Sequence, residues 1–137
     1  MNEESVMSMM LAGKTIAVVG LSDNPAKASF GVSRTMQRLG YRIMGVNPAV
    51  TGEVLGSPMY ASLAELVAAE GKPDIVNVFR LPQHIPAVVD EMVALGLKAM
   101  WVQLGIRNEE VAVKAEAAGI AVVMDRCIMI EHGRLGL

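Results

Sequence analysis

Short β-branched runs alternate with stretches whose apolar residues recur every three or four positions, and the alternation continues through the chain. Lys14 to Gly20 (KTIAVVG) reads as a strand, followed by a polar stretch and then by helical spacing at Phe30, Val32, Met36 and Leu39. Gly40 stops that helix. Tyr41 to Val46 (YRIMGV) is a second strand, ended by the turn signal Asn47-Pro48. Ser62 and Glu65 have capping-box spacing ahead of Leu63, Leu66 and Val67, Gly71 closes the helix, and Asp74 to Phe79 (DIVNVF) is a third strand. Pro82 and Pro86 suit the loop and first turn of a helix carrying Ile85, Val88, Val89, Met92 and Leu95, which Gly96 terminates. Lys98 to Val102 (KAMWV) is strand four. Asn108 is an N-cap candidate with Glu109 and Glu110 where the helix dipole favours acid; Gly119 ends the helix and Ile120 to Met124 (IAVVM) is strand five. A leading helix spans Glu3 to Leu11.

Each of Gly40, Gly71, Gly96 and Gly119 lies within three residues of a new apolar strand, so the joints are short and the order is strictly βα. That pattern predicts an α/β protein, one doubly wound domain over residues 1–137 around a mainly parallel five-stranded sheet. The composition agrees: 53% hydrophobic and 19% charged residues exclude disorder and require burial on both sheet faces.

The net charge of −2 lacks the basic footprint of a nucleic-acid binder, and two Phe, two Tyr and one Trp leave few stacking platforms. No apolar run reaches the ~18 residues of a membrane span, and the acidic N-terminus is unlike a signal peptide, so a cytoplasmic location without membrane contact is expected. Between Gly13 and Gly52, however, Lys14, Lys27, Arg34, Arg38 and Arg42 face Asp23 alone, a balance that would draw a small anion.

In such a sheet ligands lie outside the carboxyl ends of the strands, which directs attention to the loops Gly20–Gly31, Asn47–Pro58, Arg80–Pro86, Gln103–Asn108 and Asp125 onward. A dinucleotide fingerprint would need glycines at positions 22 and 25 and an acid near the end of strand two; Ser22, Pro25 and Asn47 stand there instead. The first loop can still hold phosphate through N–H groups at the next helix start, with Ser22, Ser29 and Lys27. Gly13-Lys14-Thr15 imitates the end of a P-loop, but a strand follows where a helix is required. The single cysteine, Cys127, excludes an internal disulfide, and His84 and His132 lack metal-ligand spacing, so no metal is expected. Cys127 with His132 as base and Arg126 as thiolate stabiliser is a nucleophile on paper only, since chain spacing establishes neither contact, and a partly buried Cys is the simpler reading.

Five segments in order, IAVVGLSDNPAKASFGV, GYRIMGVNP, DIVNVFR, MWVQLGIRNEE and AAGIAVVMDRCIMIEH, resemble the small stand-alone bacterial CoA-binding-domain proteins, relatives of the N-terminal domain of the succinyl-CoA synthetase alpha subunit. The resemblance covers nearly the whole chain and implies a Rossmann-like CoA-binding domain over residues 1–137. It also implies pyrophosphate against Gly20, Ser22, Asn24 and Lys27 and against Ser29, Phe30, Gly31 and Val32. Asn47, Pro48, Phe79, Arg80, Gln103, Leu104 and Gly105 would line the adenine and pantetheine groove. The synthetase uses a phosphorylated histidine from a second domain, which is not expected here, so ligase activity is not implied.

The resulting expectation is a non-catalytic binder of CoA or acyl-CoA acting as sensor, carrier or accessory subunit, with no catalytic residue. A protein partner or homo-oligomer stays open. The alternatives are an enzyme, either one half of a split acyl-CoA ligase or an NAD(P)-dependent oxidoreductase, and an interaction module whose pocket has decayed.

Overall fold

A computed structural model describes residues 2–137. Its order is α1 (Glu3–Leu11), β1 (Thr15–Val19), α2 (Ala28–Arg38), β2 (Arg42–Val46), β3 (Glu53–Val54), β4 (Ser57–Tyr60), α3 (Leu63–Glu70), β5 (Ile75–Val78), a 3-10 turn (Pro82–His84), α4 (Ile85–Leu95), β6 (Ala99–Val102), α5 (Glu109–Ala117), β7 (Ala121–Val123) and α6 (Ile128–Arg134). One sheet runs β3-β4-β2-β1-β5-β6-β7, parallel everywhere except β3 against β4. The architecture is Rossmann-like.

Side-chain alternation along the strands divides the core into two layers. Ile16 and Val18 of β1 join Ile75 and Trp101 under α1, α2 and α6, while Ala17 and Val19 join Val76, Val78, Met100 and Val102 under α3, α4 and α5. Both faces are therefore apolar, as the composition requires. Gly40, Gly71, Gly96 and Gly119 all have positive φ, the conformation that lets a helix stop and the chain turn back into a strand.

Two strands and one helix exceed the five-stranded expectation. The chain from Glu53 to Tyr60 forms a small hairpin turning at Leu55 and Gly56, both at positive φ, and β4 then joins β2 through Gly45 opposite Met59 and Val46 opposite Tyr60. With only two to four residues per strand, and Pro58 inside β4, these strands carry no period of their own; pairing with β2 creates them. Gly45 permits the approach, because a Cβ there would collide with Met59 and Leu21. The segment after Asp125 becomes α6, packed on α2, where the sequence reading leaves a loop.

The central strands are pinned at their amino ends by Asp74. Its carboxylate accepts the N–H groups of Lys14 at 2.7 Å and Thr15 at 3.1 Å, and the Thr15 hydroxyl at 3.2 Å. The Lys14 bond is the main reason its pKa lies below the ordinary carboxylate value, with the Thr15 bonds adding to it against a partial desolvation that pulls the other way. A depressed folded-state pKa gives stability that is complete above the unfolded value and is lost as pH falls through the folded one. Replacing Asp74 by Ala should cost about 1.5 kcal/mol at pH 7 in urea unfolding. The difference from the parent should shrink once the pH drops below about 4.

Candidate functional site

The parallel sheet aims every helix N-terminus at its carboxyl edge, and β1 sits where the strand order reverses, between β2 and β5. The chain leaves β1 through Gly20, whose N–H donates to Val46 O at 2.8 Å and whose φ is +94°. A Cβ at Gly20 would lie 2.7 Å from Phe79 O, so glycine is what allows the ends of β1 and β5 to meet.

The following loop is built by short side chains. The Ser22 hydroxyl accepts Asn24 N–H at 3.0 Å, Asn24 Oδ1 accepts Ala26 N–H at 2.9 Å, and the buried Ser29 hydroxyl accepts Ser22 N–H at 3.0 Å. These bonds use Ser22, Asn24 and Ser29 to shape the loop. They also bring it onto α2, which differs from α1, α3 and α5 and resembles α4 in having neither a capping side chain nor an acid in its first turn. The N-cap side chains Asn2, Ser62 and Asn108 bond into α1, α3 and α5, and each of those helices has Glu in its first turn. The N-cap of α2 is Lys27, with no capping bond and no acid in the first turn. The positive end of the dipole is thus reinforced by an exposed ammonium that forms no ion pair among the described residues. A cavity of about 350 Å³ opens there, lined by Gly20, Ser22, Lys27, Ala28, Ser29 and Phe79.

A second cavity, of about 200 Å³, lies toward α3 and α4, with Val19, Val46, Pro48, Ala87 and Val88 as apolar walls and Ser62, Arg80, His84 and Glu91 as polar lining. Consecutive residues border the two: Val19 and Gly20 at the end of β1, and Phe79 and Arg80 at the end of β5. Together they form an anion-attracting end and a mostly apolar end astride the switch point. Among the described residues, neither contains a nucleophile hydrogen-bonded to a base. Ser62 Oγ instead accepts Glu65 N–H at 3.1 Å.

The structure brings Gly20, Ser22, Lys27, Ser29 and Phe79 together in the first cavity, and Pro48 and Arg80 in the second. Asn24 shapes the loop. Phe30, Gly31 and Val32 form the first turns of α2 without lining either cavity, with the Arg34 guanidinium 5.7 Å over the Phe30 ring. Asn47 holds one loop to another: its Nδ2 donates to Leu21 O at 3.1 Å and its Oδ1 accepts Ala49 N–H at 3.0 Å. Gln103 is buried, with Oε1 accepting Asn77 Nδ2 at 3.4 Å and Ile128 N–H at 3.5 Å. Gly105 N–H is bound by Asp125 Oδ1 at 2.8 Å, and Leu104 points outward, 59% exposed. None of Gln103, Leu104 and Gly105 lines the cavities. Sequence reasoning had no signal for Glu91 or Ala87, which read as outer-face residues of α4 until α3 packs beside it.

Cys127 is 5% exposed and precedes α6, whereas His132, 7% exposed, lies in the last turn of that helix. Five residue steps carry His132 about 7.5 Å along the axis from Cys127 and turn the two to different sides. His132 packs edge-on against Tyr41, with ring centroids 5.8 Å apart, beside a third cavity at the amino edge of the sheet. Arg126 pairs with Glu3 at 2.5 Å and Glu131 at 3.5 Å. The cysteine and histidine therefore form no nucleophile–base pair.

Among the described residues, no helix is long and apolar enough to cross a membrane. Comparison with known proteins finds a match to the family described as CoA binding domain over residues 14–133. The uncharacterized protein YneT of Bacillus subtilis is 39% identical over 131 residues, covering 96% of this chain and 94% of YneT. The solved structure of cell-free ID.343 from Thermus thermophilus is 38% identical, covers 98% of this chain and 99% of its own, and superposes with a TM-score of 0.89. The apo dinucleotide forming acetyl-coenzyme A synthetase 1 of Ca. Korarchaeum cryptofilum shares the fold alone, at 21% identity and a TM-score of 0.68 over 80% of this chain and 25% of that one. With the family match spanning both helix layers and every strand of the sheet, the chain belongs to the CoA binding domain family.

Proposed function

We propose that the protein binds CoA or an acyl-CoA across the two cavities, as a non-catalytic sensor, carrier or accessory subunit. The observation that carries the reading is the start of α2: an uncapped, acid-free helix N-terminus with the Lys27 ammonium beside it, opening onto a groove whose other end is mostly apolar. CoA is polyanionic in its nucleotide half, which suits the first end, and its remaining length alternates amide with hydrocarbon. The family supports the ligand class. Among the described residues the groove holds no hydrogen-bonded pair of nucleophile and base, which supports binding without turnover, and the free thiol Cys127 lies in neither cavity.

CoA should raise the melting temperature and NAD should not. The first loop lacks the close-approach glycines at Ser22 and Pro25, and Asn47 takes the place of the ribose-binding acid. At a hundredfold excess over Kd, CoA contributes about 2.7 kcal/mol, a rise of about 8 to 14 °C at roughly 3 to 5 °C per kcal/mol. An equal or larger shift with NAD in a thermal melt would refute the assignment.

Lys27→Ala should weaken CoA about tenfold, some 1.5 kcal/mol, while pantetheine, which has no phosphate, loses nothing. Titration calorimetry of both ligands checks this. Unchanged CoA affinity would return Lys27 to the solvated surface.

A further inference from the structure

Glu91 has no counterpart among the residues that attract anions, yet it faces the same groove. It projects from α4 to the start of α3, where Oε1 accepts Leu63 N–H at 3.3 Å and Oε2 accepts Ala64 N–H at 3.2 Å. A carboxylate offers about four acceptor sites, so one on each oxygen remains. Glu91 also lines the apolar cavity, and Arg80 and His84, which line it too, make no hydrogen bond to Glu91 among the described residues. The polar lining therefore sets one fixed acceptor beside the Arg80 guanidinium, which has only N–H groups to offer, the Ser62 hydroxyl, which already accepts from Glu65 N–H and has its proton free, and the His84 imidazole, which can donate or accept.

In a mononucleotide-binding βαβ unit, phosphate sits at the first turn and the nucleoside lies toward the carboxyl end of the second strand. Val46 ends β2 and lines this cavity, and Pro48 follows closely. Resting on the CoA reading above, with the adenine ring in the groove that Pro48 and Arg80 border, we infer that Glu91 is the specificity-determining residue for the base, accepting a hydrogen bond from the exocyclic amino group. Adenine presents a donor flanked by ring-nitrogen acceptors, the complement of a carboxylate flanked by Arg80 and Ser62. A base with a carbonyl at that position sets oxygen against carboxylate and is rejected, because a buried polar group left unpaired costs more than a bond gained.

The test compares CoA with deamino-CoA, in which hypoxanthine replaces adenine and the amino group becomes a carbonyl, by titration calorimetry on the parent and on Glu91→Gln. The parent should prefer CoA at least tenfold. In Glu91→Gln the side-chain amide can donate as well as accept, so the ratio should fall to within about threefold of one while circular dichroism stays native. A role confined to capping α3 would weaken both ligands in parallel and leave the ratio unchanged, which overturns the inference. So does a parent that binds both equally. A folded parent that binds neither ligand refutes the CoA reading itself, and Glu91 falls with it.

Discussion

The groove exists because β1 lies in the middle of a parallel sheet and the chain leaves β1 and its neighbour β5 toward opposite faces. The chain passes from β1 into α2 on one face, whereas β5 continues into α4 on the other, so the loops at their carboxyl ends part and expose the edge of the sheet. For the parting to be narrow enough to bind anything, the ends of β1 and β5 must come close. Gly20 makes that contact against Phe79 O, Phe79 N–H donates to Val19 O at 2.9 Å, and Asp74 holds the opposite ends in register. The position of every groove residue follows from this pairing.

Polar groups around the groove divide by whether the fold consumes them. Asn47, Gln103 and Asp125 are spent on fastening loops to one another or to α6, and they contribute no lining atoms to the groove. Lys27 and Arg80 remain unpaired among the described residues, and Glu91 keeps half its acceptor capacity. Helix capping shows the same division. The N-termini of α1, α3 and α5 are neutralised by their own caps and acids, while those of α2 and α4, which have neither, are left to act on whatever occupies the groove.

The other face of the carboxyl edge is organised for stability. Trp101, fully buried, donates its indole N–H to Arg126 O at 2.9 Å, and Asn77 donates to Trp101 O at 3.1 Å, so β5, β6 and the start of α6 form one hydrogen-bonded block. Arg126 and Arg134 tie the same helix to Glu3 and Glu4 of α1. The resemblance-bearing segment from Asp125 to His132 thus carries structural duties: Asp125 fixes a loop, Arg126 pairs with acids, Cys127 is buried, and His132 packs on Tyr41 at the far edge.

Properties that depend on neighbours along the chain were legible in the residues. Strand runs, the glycines that end helices, the caps Ser62 and Asn108, and the strict βα order follow from local sterics and a short period, and with right-handed crossovers they dictate the wound sheet. The shape of the first loop was readable for the same reason, since Ser22, Asn24, Lys27 and Ser29 lie within one turn and the following helix start. Tertiary structure alone decided what distant segments do to one another. It made strands of Glu53–Val54 and Ser57–Tyr60 by offering the edge of β2, buried Gln103 against α6, and turned Asn47 inward to Leu21. It also brought Glu91 of α4 to the first N–H groups of α3, making a groove wall from a residue whose own helix would leave it in solvent. Such contacts join residues 14 to 28 positions apart, and no local period encodes them; they exist only once the sheet has set the distance between its elements.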